Sequence, residues 1–236
     1  MQDTHLHHHE EHLKSSDLLT DIVIGMSDGL TVPFALAAGL SGAVNSTSVI
    51  IIAGIAEIAA GSIAMGLGGY LAGRTEQDHY SSELKREYDE IEHKTEIEKE
   101  EVREVFREWG LSSTITEQAT QEIIKDKHQW VEFMMKHELG LDKPDPKRAR
   151  KSAFNIGASY IIGGLVPLTP YFFVDSSLVG LKLSVIITLI CLYIFGFFKS
   201  KLTGVNAWLG GLRVMLIGAA AAAAAFTIAK VIETKI

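Results

Sequence analysis

The chain has 236 residues, of which 47% are hydrophobic and 22% charged, with a formal net charge of −7. The charge is concentrated, because residues 75–143 hold 19 of the 29 acidic side chains but 10 of the 22 basic ones. An acidic block repels nucleic-acid phosphates and attracts cations, so nucleic-acid binding is not expected. The lone cysteine, Cys191, excludes an intrachain disulfide, a CxxC redox centre and a thiolate zinc site.

Residues 1–17 form a His-rich segment without the basic and apolar regions of a cleavable secretory signal. The composition predicts a disordered polar tail. Metal binding by its histidines is the alternative.

Five apolar stretches follow, each of at least 20 residues. At 1.5 Å of rise per residue, a helix of this length crosses a hydrocarbon core of roughly 30 Å. The sequence therefore predicts an all-α membrane protein in contact with lipid. Spans 1 and 2 lie within residues 18–74, a helical insert occupies 75–148, and spans 3–5 lie within 149–236. The predicted spans are 18–43, 48–73, 153–174, 178–198 and 205–232.

Basic residues flank the spans unevenly. Arg74 follows span 2, four basic residues lie within 147–151 before span 3, and Lys199 and Lys201 follow span 4. Because basic residues near span ends favour the cytosolic side, we expect the N-terminus, the insert and the loop between spans 4 and 5 to be cytosolic. The C-terminus is then on the far side, although two lysines near it run against this rule.

Small residues recur at helical spacing in the spans, as at Gly25 and Gly29 or Ala35 and Gly39. Such residues allow close approach of helices in lipid. Since five helices enclose a pathway poorly, we expect a homodimer with the pathway at the shared interface.

Two acidic residues lie deep inside the spans. Asp28 is about ten residues into span 1, and Glu57 is in span 2. A charge near the bilayer centre costs about 2.5–3.5 kcal/mol, so each should face a partner, a cavity or an ion. Met65 follows Glu57 by just over two turns, and carboxylate with thioether ligands suits Fe²⁺ or Co²⁺ better than Ca²⁺ or Mg²⁺. Alternatively, Glu57 only bonds a neighbouring helix and Met65 only packs.

The first part of the insert, residues 75–109, is predicted to be helical. Glu87 and Glu90 are three residues apart, as are Glu98 and Glu101, and the second pair follows the first by 11 residues. On an unbroken helix both pairs line one stripe. A break near residues 93–95 would instead fold the pairs toward each other.

A second helix is predicted from Thr116, with Ser113 as the alternative start, to about Leu139. Two adjacent methionines would share one face of it with a valine and a glutamate and could complete a carboxylate–thioether metal site. The alternative is a solvated face of charged pairs over an ordinary core. These four residues are Val131, Met134, Met135 and Glu138.

The segment DIVIGMSDGLTVPFALAAGL at residues 21–40 resembles the first span of the vacuolar iron transporter family. The segment EIAAGSIAMG at 57–66, with Tyr70 and Leu71, resembles the second span. The resemblance covers essentially the whole chain after the His-rich segment, to which it assigns nothing. It points to a plant-type member.

This resemblance implies a five-span homodimer in the vacuolar membrane that exchanges protons for cytosolic Fe²⁺, without enzymatic activity or a resident cofactor. Mn²⁺, Co²⁺ and Zn²⁺ are further expected cargo. Asp28 and Met65 match positions that line the path at the dimer interface, and Glu57 lies close by. In the plant-type insert, the residues that bind metal match Glu87, Glu90, Glu98, Glu101, Met134, Met135 and Glu138.

The alternative function is that of a membrane di-iron carboxylate enzyme. Such sites use two Glu-x-x-His pairs, but the insert offers a single match, from Glu90 to His93. Asp28 has no role in that chemistry. A receptor or scaffold whose acidic helices bind a partner is a further alternative.

Overall fold

The computed structural model describes residues 17–234. The predicted His-rich tail therefore lies outside the described residues, except for Asp17, which begins the first helix. The described part of the chain is helical and contains one isolated bridge, between Ser46 and Ser176. The helices are α1 Asp17–Ala43, α2 Thr47–His93, α3 Thr95–Glu108, α4 Ser113–Ile123, α5 Lys127–His137, α6 Arg148–Leu168, α7 Ser177–Leu202 and α8 Ala207–Glu233.

All five predicted spans are confirmed, since α1, α2, α6, α7 and α8 are long and apolar enough to cross a membrane. The third continues beyond α6 as a 3₁₀ turn, Thr169–Phe172. Pro167 and Pro170 lie around this change of helix type. Proline lacks a backbone N–H and so interrupts the α-helical hydrogen bonds.

The chain divides into two compact units. Of the described residues, the membrane unit contains 17–70 and 150–234, and the insert unit is Leu71–Ala149.

In the membrane unit, glycines allow α1 and α2 to pack closely on α6. A Cβ atom at Gly25 would overlap the carbonyl oxygen of Ile156, and one at Gly29 would overlap that of Tyr160. On α2, a Cβ atom at Gly66 would lie 2.9 Å from the carbonyl oxygen of Ala153. Small residues in these spans therefore determine how closely the polar side chains of three helices approach each other.

In the insert unit, the end of α2 joins α3, α4 and α5 around one apolar core. The predicted stretch 75–109 is broken at Lys94, whose backbone is non-helical, so the folded-back alternative is the one found. This break allows Ile91 of α2 and Val102 of α3 to enter the same core. The residues of this core are Ile91, Val102, Val105, Phe106, Trp130, Val131, Phe133, Met134 and Met135.

The prediction of one second helix was wrong, because two are found. The first begins at Ser113, the alternative start, and ends at Ile123. Asp126 then caps α5, with its side chain accepting hydrogen bonds from the backbone N–H groups of His128 and Gln129 at 2.8 and 3.1 Å. An aspartate at this position satisfies amide groups that have no partner within the helix, and it therefore starts a new one.

Candidate functional site

The membrane unit contains a polar cluster of Asp28, Glu57 and Tyr160, here called the intramembrane cluster. The Tyr160 hydroxyl of α6 donates a 2.5 Å hydrogen bond to Glu57 Oε1 on α2. The negative charge of Asp28, on α1, also acts on this hydroxyl. The three residues come from three different spans, and Asp28 is related to the other two by its charge.

The second carboxylate oxygen of Glu57 has no hydrogen-bond partner within residues 17–234, although the atom is buried. A buried polar atom without a partner costs roughly 1–3 kcal/mol, and more when the group is charged. Glu57 Oε2 is therefore positioned to gain from a cation or a proton. The alternative interpretation, in which Glu57 only bonds a neighbouring helix, accounts for Oε1 but not for Oε2.

Glycines provide the space for this cluster. Tyr160 is 2% exposed, and a Cβ atom at Gly61 would overlap its hydroxyl oxygen. The absence of a side chain at Gly61 allows the phenol to reach Glu57.

Met65 is half-buried on α2, two turns beyond Glu57. No hydrogen bond or ion pair in the described chain joins it to the intramembrane cluster. Its predicted role in the path stays a prediction.

Sequence reasoning singled out neither Tyr160 nor Asp21 as a functional residue. Asp21 of α1 is 1% exposed and accepts hydrogen bonds from Ser152 Oγ at 2.9 Å and Asn155 Nδ2 at 3.2 Å, both on α6. The sequence did contain a signal, because Ser152, Asn155 and Ser159 recur at helical spacing in an apolar span. This spacing indicates a polar face that needs partners.

In the insert, the structure brings the five predicted glutamates within electrostatic range of one another. Glu87 of α2 and Glu98 of α3 are 2% and 3% exposed, and their carboxyl groups share a hydrogen bond. Glu87 Oε1 and Glu98 Oε2 are buried without a hydrogen-bond partner in the part of the chain described. The negative charges of Glu90 and Glu101 act on both carboxyl groups.

This arrangement makes ionisation of three carboxyl groups unfavourable. Desolvation raises the pKa of Glu87 to about 7. Desolvation and the adjacent Glu87 raise the pKa of Glu98 to about 8. Glu138 is exposed as a residue, yet desolvation of its carboxyl group and the charges of Glu101 and Glu98 raise its pKa to about 7. A divalent cation would relieve this repulsion by replacing the protons.

Glu90 has partners of its own. Its carboxylate accepts hydrogen bonds from Lys94 Nζ at 2.8 Å and Arg86 Nε at 3.3 Å, and the Lys94 hydrogen bond lowers its pKa. A surface ion pair between Glu96 and Lys99 is also present, at 2.7 Å. The alternative interpretation of a charged, solvated face therefore applies to part of the insert.

The two methionines of the insert belong to its apolar core. Met134 and Met135 are 0% and 1% exposed, and they pack with Val102 and Val131. Among residues 17–234, no three His, Cys, Asp or Glu side chains stand in the arrangement of a preformed metal site. The insert thus presents a repulsive carboxyl cluster beside buried thioethers, rather than a finished coordination sphere.

Five helices able to cross a membrane, carboxylates inside the spans and an acidic helical insert define a polytopic membrane protein. The chain matches the VIT family over residues 19–230. It belongs to that family.

Named relatives agree with this assignment. Vacuolar iron transporter 1 of Tulipa gesneriana is 48% identical over 227 residues, which cover 96% of this chain and 92% of that protein. Vacuolar iron transporter 1 of Eucalyptus grandis is 49% identical over 227 residues, covering 96% and 91%. Protein CCC1 of Saccharomyces cerevisiae is 36% identical over 225 residues, covering 91% and 69%. The predicted resemblance to plant members is confirmed.

Proposed function

We propose that this chain is a proton-coupled antiporter of the vacuolar membrane that moves cytosolic ferrous iron into the vacuole. The plant relatives are named vacuolar iron transporters, which supports iron as the cargo and the vacuolar membrane as the location. These names also make the chain a transporter rather than an enzyme, so the di-iron alternative is dropped. Mn²⁺, Co²⁺ and Zn²⁺ are included as cargo because the same ligands accept them.

The observation that carries the proposal is the intramembrane cluster. Glu57 Oε2 is buried without a partner among the described residues, and the charge of Asp28 lies within range of the same tyrosine. Carboxylates in a span are costly unless they have a polar partner, an ion or a proton. Alternate occupancy by Fe²⁺ and protons would couple the two flows, because either ligand neutralises the same charge.

We propose that the insert collects the metal before transport. At a cytosolic pH near 7, the carboxyl groups of Glu87, Glu98 and Glu138 are partly protonated, given pKa values of about 7 to 8. Fe²⁺ would displace these protons and bind with help from Glu90 and Glu101. Met134 and Met135 would contribute only if the core opened toward the carboxylates.

From the insert, the metal would pass to Met65 and then to Asp28, close to Glu57. Protons from an acidic lumen would neutralise the carboxylates, release the metal and travel in the opposite direction. We propose a homodimer with this path at its interface, a cytosolic N-terminus and insert, and a lumenal C-terminus. The basic residues beside spans 2, 3 and 4 support this orientation.

Purified protein in liposomes provides the test. With an acidic lumen, wild-type protein should accumulate Fe²⁺, and Asp28→Asn should reduce uptake at least tenfold. Asp175→Asn, an exposed aspartate between the 3₁₀ turn and α7, is the matched control and should transport normally. Normal uptake by the Asp28→Asn variant would contradict the proposal.

A further inference from the structure

An apolar groove of about 280 Å³ lies in the membrane unit between α1, α7 and α8. Phe34 of α1 is at its floor and is 1% exposed. Leu181, Val185 and Leu189 recur every four residues on α7 and form one wall. The opposite wall is the alanine-rich part of α8, around Ala222, where short side chains leave the space open.

Little in this groove can hold a polar ligand. Thr227 is the one polar side chain in its lining, and its hydroxyl already donates to the carbonyl oxygen of Ala223 at 2.8 Å. A bound water needs two to four polar partners. Within a bilayer, a groove with this lining is filled most favourably by hydrocarbon.

The groove has the length of about one lipid leaflet. At its outer end is Phe226, against Gly42, where a Cβ atom would lie 3.1 Å from the ring. On α7 the lining of the groove runs from Leu181 to Leu189, which are eight residues apart. At 1.5 Å per residue, these eight residues span about 12 Å, against roughly 15 Å for half of the hydrocarbon core.

A positively charged side chain, that of Lys230, lies at this outer end. Lys230 Nζ is 5.9 Å from the centroid of the Phe226 ring, one turn further along α8. Lys230 is exposed, and within the described residues its interactions include no ion pair with a carboxylate. Lysine side chains at the edge of the hydrocarbon extend to the head-group region and attract anionic lipids.

We propose that this groove binds one acyl chain of an anionic phospholipid, whose phosphate is held by Lys230. The apolar walls select hydrocarbon. The ammonium group of Lys230, which forms no ion pair with a carboxylate of the described residues, selects a negative head group. The site also gives a reason for a lysine at the C-terminal end of α8, where the proposed topology favours few basic residues. It does not depend on the proposed iron path.

The test uses the full-length protein in detergent, given equal amounts of dioleoyl-phosphatidylglycerol and dioleoyl-phosphatidylcholine. Retained lipid is counted by native mass spectrometry. Wild-type protein should prefer phosphatidylglycerol by about fivefold, the effect expected of one lysine near a head group. Lys230→Gln should bring this preference close to one, and Ala223→Phe should reduce retention of both lipids by filling the groove.

Lys199→Gln is the matched control, because Lys199 lies in the last turn of α7, at the opposite end of this helix from Leu181. It should leave the preference unchanged. Equal retention of both lipids by wild-type protein would overturn the proposal, as would an unchanged preference in Lys230→Gln or an equal loss in Lys199→Gln. Disulfide cross-linking of two copies through Ala223→Cys would assign the groove to a second copy instead. Because Lys230→Gln leaves the groove volume intact, its result stands even if Ala223→Phe fails to fold.

Discussion

Replacing Glu98 by glutamine should stabilise the insert at neutral and alkaline pH. Glu98 is buried beside Glu87, and its pKa is raised from 4.5 to about 8. The folded insert therefore binds this proton more tightly than the unfolded chain does. The resulting stability is fully present below pH 4.5 and is lost as the pH rises toward 8.

The size of the effect follows from this difference in pKa. At ~1.4 kcal/mol for each pKa unit, a rise from 4.5 to about 8 makes ionised Glu98 cost the folded state up to ~5 kcal/mol above pH 8. Between pH 5 and pH 7, Glu98 alone should cost the wild-type insert roughly 2–3 kcal/mol of stability. Glu87 and Glu138, whose pKa values are raised to about 7, add losses of their own. The neutral glutamine cannot ionise, so the part of the loss that comes from Glu98 should disappear.

Tryptophan fluorescence can follow unfolding of the insert within the full-length protein. The chain has three tryptophans, and Trp208→Phe leaves only Trp109 and Trp130, both in the insert. Chemical unfolding at pH 5, 7 and 8 then gives its stability. Glu100→Gln is the control on the same helix, because Glu100 is exposed and paired with Arg107 at 2.6 Å.

The reasoning would be refuted if stability of the wild-type insert were constant between pH 5 and pH 8. It would also be refuted if the Glu98→Gln variant lost as much stability as wild type over this range. Glu100→Gln should show the wild-type pH dependence.

Three further predictions follow from the same structure. Fe²⁺ should stabilise the insert more at pH 8 than at pH 5 and should release protons when it binds. Calorimetry in buffers of different ionisation enthalpy counts the released protons. Equal stabilisation at both pH values would contradict a metal site built from these carboxyl groups. Met134→Leu and Met135→Leu should each change the free energy of unfolding by less than ~1.5 kcal/mol, since the side-chain volumes match. They should weaken Fe²⁺ binding only if the thioethers are ligands. An unchanged Fe²⁺ affinity in both variants would leave the two methionines as core residues. Gly29→Ala should lower the thermal midpoint of unfolding in detergent, because its Cβ would overlap a backbone carbonyl of α6. Gly68→Ala should leave the midpoint unchanged, because nothing lies within 4 Å of its Cβ. An equal effect of both substitutions would contradict the close contact between α1 and α6.

Apolar length determines the spans so strongly that all five could be predicted from the sequence. A break near residues 93–95 was one of two alternatives, and the sequence could not decide between them. No proline or glycine marks the break, and it depends on Ile91 and Val102 meeting in a core that forms only on folding. Asp126 was a readable signal for a helix start that the single-helix prediction overlooked.

The candidate site, too, could be predicted from the sequence only in part. The cost of charge in lipid identified Asp28 and Glu57 from the sequence alone. The hydrogen bond from Tyr160 to Glu57 joins residues 103 positions apart in the chain, so it depends on the packing of α2 on α6. For the glutamates of the insert, spacing left two arrangements open, and only the fold determined which of them forms.

Simultaneous measurement of Fe²⁺ uptake and proton release in one liposome preparation tests the central claim most directly. A metal-sensitive dye and a pH-sensitive dye inside vesicles with an acidic lumen would follow the two flows. We expect wild-type protein to move protons out as Fe²⁺ enters. Asp28→Asn and Glu57→Gln should lower both flows together, and Asp175→Asn should lower neither. Fe²⁺ uptake without proton movement, or full coupling in the Asp28→Asn variant, would contradict this claim.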